Sequence, residues 1–131
     1  MKKALAGVTL AVLLGACGQI GQQPETRMDL LYVQSVEFPA SIAADAPLSV
    51  VVEIGRACDR AFGQFKATRT ATALNLQAFT KAYTVSTTPV PPCPPVMILE
   101  KHTYIDPGTP ARTSPFEIIV NGKSWGKVEI R

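Results

Sequence analysis

Alternating apolar and polar positions dominate the chain after its first thirty residues, and this pattern predicts β-strands. The clearest case is 48–54, LSVVVEI, in which every second residue is a large aliphatic one. A strand with this period buries one of its faces. The segments 30–38, LLYVQSVEF, and 96–105, VMILEKHTYI, are rich in the β-branched and aromatic residues that favour strands.

Two further strands are predicted in the middle of the chain, over 60–70 and from about 73 to 85. Residues 71–83 also contain good helix formers, so a helix is the alternative there. Leu74 and Leu76 fall on one face of a strand, with a polar residue on either side of Leu76. This alternation favours the strand.

The chain ends with two alternating runs, 116–120 and 123–130, on either side of Asn121 and Gly122. An Asn-Gly pair between two such runs is typical of a tight β-hairpin. Gly126, inside the last run, predicts a bulge.

Proline-rich segments separate the other strands and predict loops at 39–47, 86–95 and 106–115. The total is about seven short strands with turn signals between them, which predicts an all-β fold, an antiparallel β-sandwich. The loops 39–47 and 106–115 are the best predicted places for recognition, because loops on a rigid scaffold often carry it.

The first sixteen residues have a different pattern. Lys2 and Lys3 precede an apolar run, 4–14, which is far shorter than the roughly 20 residues a spanning helix needs. Its length fits the helix of an export signal. The following LGAC resembles the bacterial lipobox, and the resemblance implies cleavage between Ala16 and Cys17 and acylation of Cys17. A plain signal peptide, or a short buried helix with an incidental cysteine, is the alternative.

The resemblance implies three parts: a signal peptide at 1–16, a lipidated N-terminus and flexible tether at 17–28, and a β-sandwich domain at 29–131. Residues 18–27, GQIGQQPETR, show no hydrophobic period, and ten such residues reach roughly 17 Å. The expected location is the cell envelope, on the outer membrane or the extracytoplasmic face of the cell membrane. Membrane lipid, bound through the acylated cysteine, is the first expected partner.

Charge argues against nucleic acid as a partner. The chain has 13 Lys and Arg against 10 Asp and Glu, and removal of Lys2 and Lys3 with the signal leaves 11 against 10. No cluster of basic residues interleaved with aromatic ones occurs in the sequence.

The chain has three cysteines, and two of them remain as a pair if Cys17 carries lipid. Cys58 and Cys93 then most simply form a disulfide, as expected in an exported domain. Closing a loop of about 36 residues stabilises the fold by ~4 kcal/mol in the chain-entropy model. Two cysteines without nearby histidines make a poor zinc site.

His102 is the only histidine, and it would share a strand face with Glu100 and Tyr104, with Asp106 close behind. A metal or acid–base role is one interpretation, and a half-exposed strand face with a surface histidine is the favoured one. The sequence has no G-x-S-x-G elbow, phosphate loop or dinucleotide fingerprint. We therefore predict no catalytic residue, no metal ligand and no cofactor.

Four aromatic residues in the middle of the chain have two interpretations: Phe62, Phe65, Phe79 and Tyr83. They could form an exposed binding patch, or at least half of them could belong to the core. The second is favoured, because a sandwich needs large side chains inside.

Across its mature length the chain resembles small, uncharacterised bacterial lipoproteins with an immunoglobulin-like sandwich. The resemblance rests on LGAC, on GRACDRAF at 55–62, on PPCPP at 91–95 and on FEIIVNGK at 116–123. It implies a fold and a location, and it carries no catalytic residues.

The leading functional hypothesis is a non-enzymatic envelope lipoprotein with a structural or protein-binding role and an unidentified envelope protein as partner. The second is an inhibitor or scavenger of a cell-wall hydrolase, with the loop that contains PARTSP, 110–115, as the plug. The third, and weakest, is a hydrolase or metal-binding protein centred on His102.

Overall fold

The structure is a computed structural model that describes residues 25–57, 60–85 and 96–131. Within these ranges every regular element is a strand: β1 (Thr26–Arg27), β2 (Tyr32–Glu37), β3 (Ser41–Ile42), β4 (Leu48–Arg56), β5 (Phe62–Arg69), β6 (Ala73–Thr80), β7 (Tyr83–Thr84), β8 (Ile98–Asp106), β9 (Phe116–Val120) and β10 (Lys123–Ile130). Seven of them have five or more residues, which confirms the predicted strands. The helical alternative for 71–83 is wrong.

The strands form a five-stranded sheet in the order β3-β10-β9-β6-β5, a three-stranded sheet in the order β2-β4-β8, and the small pair β1-β7. The two larger sheets contribute to one buried cluster, an arrangement consistent with a β-sandwich. Alternation explains this core, because Leu48, Val50, Val52 and Ile54 of β4 are fully buried while the residues between them are not.

The expectation of a wholly antiparallel sandwich is wrong for the five-stranded sheet. β6 pairs with β9 in parallel, and β3 pairs with β10 in parallel. The chain leaves the five-stranded sheet after β6, runs back along β8 in the other sheet, and returns as β9. One intervening long strand brings the chain back to the end at which β6 began, so β9 runs in the same direction as β6.

The pairing register of the strands defines two ends of the domain, which we call the lower end and the upper end. The lower end contains the start of the described chain at Glu25, the end of β4, the start of β8 and the Asn121–Gly122 turn. The upper end contains the connections 38–47, 70–72 and 107–115. The register therefore fixes the height of each strand residue between the lower end and the upper end.

The predicted hairpin and bulge are confirmed. Asn121 and Gly122 have φ of 49° and 79°, as a type I′ turn requires, and the register between β9 and β10 shifts between Ser124 and Gly126. The predicted fourth strand is divided, because β6 ends at Thr80 and β7 is a separate strand that pairs with Thr26–Arg27. Those two residues, assigned to the tether from the sequence, thus pair within the described domain.

Candidate functional site

The residues predicted to carry lipid and the disulfide lie outside the described residues. This applies to Ala16, Cys17, Cys58 and Cys93. The described residues closest in sequence to the two predicted disulfide cysteines, at 57, 60, 85 and 96, belong to the lower end of the domain.

Glu100, His102 and Tyr104 of β8 share one face, as predicted, and this face points inward. Glu100, His102 and Tyr104 lie opposite Ile54, Val52 and Val50, the buried residues of β4. The other face of β8 is directed to solvent, and Leu99 and Ile105 on it are 48% and 52% exposed. β8 therefore turns several polar groups toward the other sheet, while its outward face mixes Leu99 and Ile105 with Lys101 and Thr103.

Glu100 is the centre of a small polar network. Arg56 donates from Nε to Oε1 at 2.6 Å, and His102 Nε2 lies 3.2 Å from Oε2. The Arg56 guanidinium, followed by the His102 ring, lowers the pKa of Glu100 below its ordinary value because both hydrogen bonds favour the carboxylate. The positive charge of Arg56 also offsets the negative charge of Glu100, which a bound cation would need.

His102 stacks on Phe62 of the opposite sheet, with ring centroids 3.9 Å apart and the planes inclined by 23°. Its side chain is 29% exposed, so the predicted partial exposure is correct although the face is the inner one. Among the residues that the structure describes, no group of three or more His, Cys, Asp or Glu could hold a metal ion. In this geometry His102 packs on Phe62 and contacts the Glu100 carboxylate.

Asp106 ends the same inward face and is buried between two arginines. Arg112 donates to its Oδ2 from Nη2 at 2.6 Å, and Arg69 of β5 donates from Nε at 3.1 Å. Sequence reasoning missed this cluster. The period of two from Glu100 places Asp106 inward, but only the fold brings Arg69, 37 residues away, to it.

The cluster joins the two loops that the sequence singled out for recognition. The Arg112 backbone N–H donates to the Ala44 carbonyl at 2.9 Å, and its Nη1 donates to the Ala46 carbonyl at 2.7 Å. The loops 39–47 and 106–115 therefore meet at the upper end. Arg112 itself is only 3% exposed, and the loop presents Pro110, Ala111, Thr113 and Ser114 to solvent instead.

Two of the four singled-out aromatic residues, Phe62 and Phe65, pack against the core, as the favoured interpretation required. Arg60 covers the Tyr83 ring at 3.7 Å, and Lys66 lies 5.0 Å from the Phe79 ring. The four therefore do not form one exposed patch.

Comparison with known proteins found no matching family model, no similar curated protein and no similar solved structure. Within 25–57, 60–85 and 96–131, no helix is long and apolar enough to cross a membrane.

Proposed function

We propose that this chain is a membrane-anchored lipoprotein of the cell envelope with a non-enzymatic structural or protein-binding role. The observation that carries the proposal is the basic start, the short apolar run and LGAC, followed by an unpatterned polar segment. Acylation of Cys17 attaches the protein to membrane lipid. Two or three acyl chains anchor a protein stably, whereas one is marginal.

The geometry of the domain supports a binding role at the upper end. The loops 39–47 and 106–115 lie side by side there, and the buried Arg112 fixes them to each other. A surface that is ordered before binding loses less conformational entropy when a partner docks. The upper end also faces away from Glu25, through which the tether enters the domain.

The finer fold assignment, an immunoglobulin-like sandwich with a Cys58–Cys93 disulfide, is part of this proposal. Two sheets around one core and seven longer strands support the sandwich part of this assignment. The parallel pair β6-β9 is a departure from the usual arrangement, in which sheets are antiparallel.

The anchor is tested by Cys17→Ser. We expect this variant to leave the membrane fraction, or to keep its signal peptide, whereas the unchanged chain sediments with membranes and incorporates labelled fatty acid. Ser114→Cys, which adds a thiol on the exposed upper loop, is the matched control and should leave fractionation unchanged. Membrane association of Cys17→Ser equal to that of the unchanged chain contradicts the anchor.

The binding role is tested by crosslinking in intact cells. Ala111→Arg adds a charge to the exposed upper loop, and Gln77→Arg adds the same charge to the exposed side of β6. We expect the first to abolish capture of an envelope protein and the second to preserve it. Equal capture by both variants contradicts recognition by the upper loops.

Inhibition of a cell-wall hydrolase is the second candidate, favoured by the same fixed loop. Arg112 cannot enter an active site, because it is buried, so the plug would consist of Pro110–Ala111 and Thr113–Ser114. The purified chain should then slow muramidase digestion of cell walls, and Ala111→Arg should relieve the inhibition.

A further inference from the structure

An apolar row crosses the outward face of the three-stranded sheet at its lower end. Tyr32, Gly55 and Leu99 are direct neighbours in the register of β2, β4 and β8. Gly55 has no side chain, and a Cβ built there would overlap the Met97 sulfur and approach the Tyr32 ring at 3.1 Å. Met97 and Tyr32 therefore close over the glycine and form a continuous apolar surface with Leu99.

The same face becomes polar toward the upper end. In the next row, Ser35 donates to Glu53. Lys101 of the same row lies 3.6 Å from Glu37, which is one row further toward the upper end. The rows above Gly55 on this face are therefore mainly polar, with Val51 and Ile105 as the apolar residues among them.

The exposed large apolar side chains of the described residues follow the same division. Seven of the eight belong to the lower end, namely Met28, Leu30, Tyr32, Val96, Met97, Ile98 and Leu99. Three of them, Tyr32, Met97 and Leu99, adjoin one another around Gly55 on the outward face of the three-stranded sheet, and we call these three the lower apolar surface. Ile105 alone lies near the upper end. A concentration of this kind indicates a contact surface rather than scattered exposure.

The chain itself indicates what this surface faces. The described residues begin at Glu25, at the lower end, and Cys17 is eight residues earlier. Eight residues span at most roughly 28 Å when fully extended, and about 16 Å as a flexible chain. An acyl chain on Cys17 would therefore keep Glu25, and with it the lower end of the domain, within roughly 28 Å of the bilayer.

The composition of the surface suits a bilayer interface. A tyrosine has an apolar ring and a polar hydroxyl, and methionine adapts to irregular surroundings. Lys81 and Lys123 are exposed at the same end, where ammonium groups meet lipid headgroups favourably.

We propose that the lower apolar surface docks on the membrane surface and holds the sandwich upright, with the upper loops directed away from the lipid. This inference rests on the proposed acylation of Cys17, but it adds a second, non-covalent contact with lipid. Acylation alone would leave the domain free to tumble on its tether.

The test uses the full, acylated chain in vesicles of phosphatidylcholine and phosphatidylglycerol whose acyl chains are brominated near the headgroup. Leu99→Trp and Ile105→Trp, each in a Trp125→Phe background, place one indole on the same strand and face, at levels roughly 20 Å apart. Both positions are half-exposed, so we expect both substitutions to be tolerated equally, and melting curves check this.

We expect bromine to quench the indole at position 99 at least about twofold more than that at position 105, because a docked group enters the interface and a distant one does not. Flotation with the vesicles but equal quenching at both positions overturns the docking and leaves the anchor intact. Failure to float overturns both. If neither indole is quenched in the vesicles and the protein has a doubled mass in detergent, a second copy of the chain occupies the surface. This result also overturns the proposal.

Discussion

At the scale of single residues, the most demanding group in this domain is the carboxylate of Asp106. A buried charge is costly unless it is paired and hydrogen-bonded. Here Arg112 and Arg69 supply both requirements, and they also pack over the Phe116 ring at 5.5 and 4.8 Å. The cluster ties β5, β8 and the loop before β9 together at the upper end.

Asp106→Ala should destabilise the domain by about 3–5 kcal/mol, because it leaves two largely buried guanidinium groups without their carboxylate. Denaturant unfolding measures the loss. Glu37→Ala is the matched control: it removes the exposed Lys101 pair and should cost under about 1 kcal/mol. Equal losses in the two variants would show that burial of Asp106 is not the reason for the effect.

Glu100 predicts a pH dependence of stability. Its pKa is lowered in the folded state, so its contribution is complete above the unfolded-state pKa of about 4.3 and is lost as the pH falls through the folded-state pKa. Melting temperatures measured from neutral to acidic pH should fall less steeply in Glu100→Gln than in the unchanged chain. Arg56→Gln should also make the melting temperature fall less steeply over this pH range, since Arg56 is the largest cause of the lowered pKa of Glu100. A pH slope that neither variant changes contradicts the assignment.

At the scale of elements, the β9–β10 turn does more than reverse the chain. Asn121 Oδ1 accepts from the Ala78 N–H at 2.9 Å, and its Nδ2 donates to the Leu31 carbonyl at 2.6 Å. The turn residue therefore bridges β6 and the segment before β2. The Asn-Gly pair indicated the turn, but the bridge depends on partners 43 and 90 residues away.

Asn121→Gly keeps the turn conformation and removes both bridging hydrogen bonds. We expect a loss of about 2–4 kcal/mol, because two buried backbone groups lose their partners. Gly122→Ala, whose methyl group meets open space, should cost only about 1–2 kcal/mol for its positive φ. Thermal unfolding of both variants ranks them, and a larger loss for Gly122→Ala would mean that turn conformation outweighs the bridge.

At the scale of the whole molecule, the two ends have different chemistry. The upper end is fixed by a buried ionic cluster and presents loops rich in proline and small residues, whereas the lower end exposes large apolar side chains and receives the tether. The predicted Cys58–Cys93 disulfide would add its constraint between segments that both leave the described structure at the lower end.

The disulfide predicts a thiol count and a stability. The unreduced, acylated chain, unfolded in denaturant, should show no free thiol in an Ellman titration, and Cys58→Ser should show one. Reduction should lower the free energy of unfolding by up to ~4 kcal/mol, the loop-closure estimate for about 36 residues. Two free thiols in the unreduced chain contradict the pairing.

The sequence by itself determined the elements, because alternation and turn residues are local properties. Leu48–Arg56, the Asn121–Gly122 hairpin and the Gly126 bulge were all readable from a few neighbouring residues. The strand rather than helix at 73–80 followed from the same alternation.

Only the tertiary structure decided how these strands combine and which face of β8 turns inward. Both faces of β8 carry apolar and polar residues, so its period left the choice open; pairing with β4 and the arrival of Arg69 and Phe62 from the other sheet decided it. The parallel β6-β9 pair likewise depends on a path through both sheets. Local patterns report the backbone conformation of a segment, but charge pairing and sheet order depend on residues that are distant in the chain and meet only on folding.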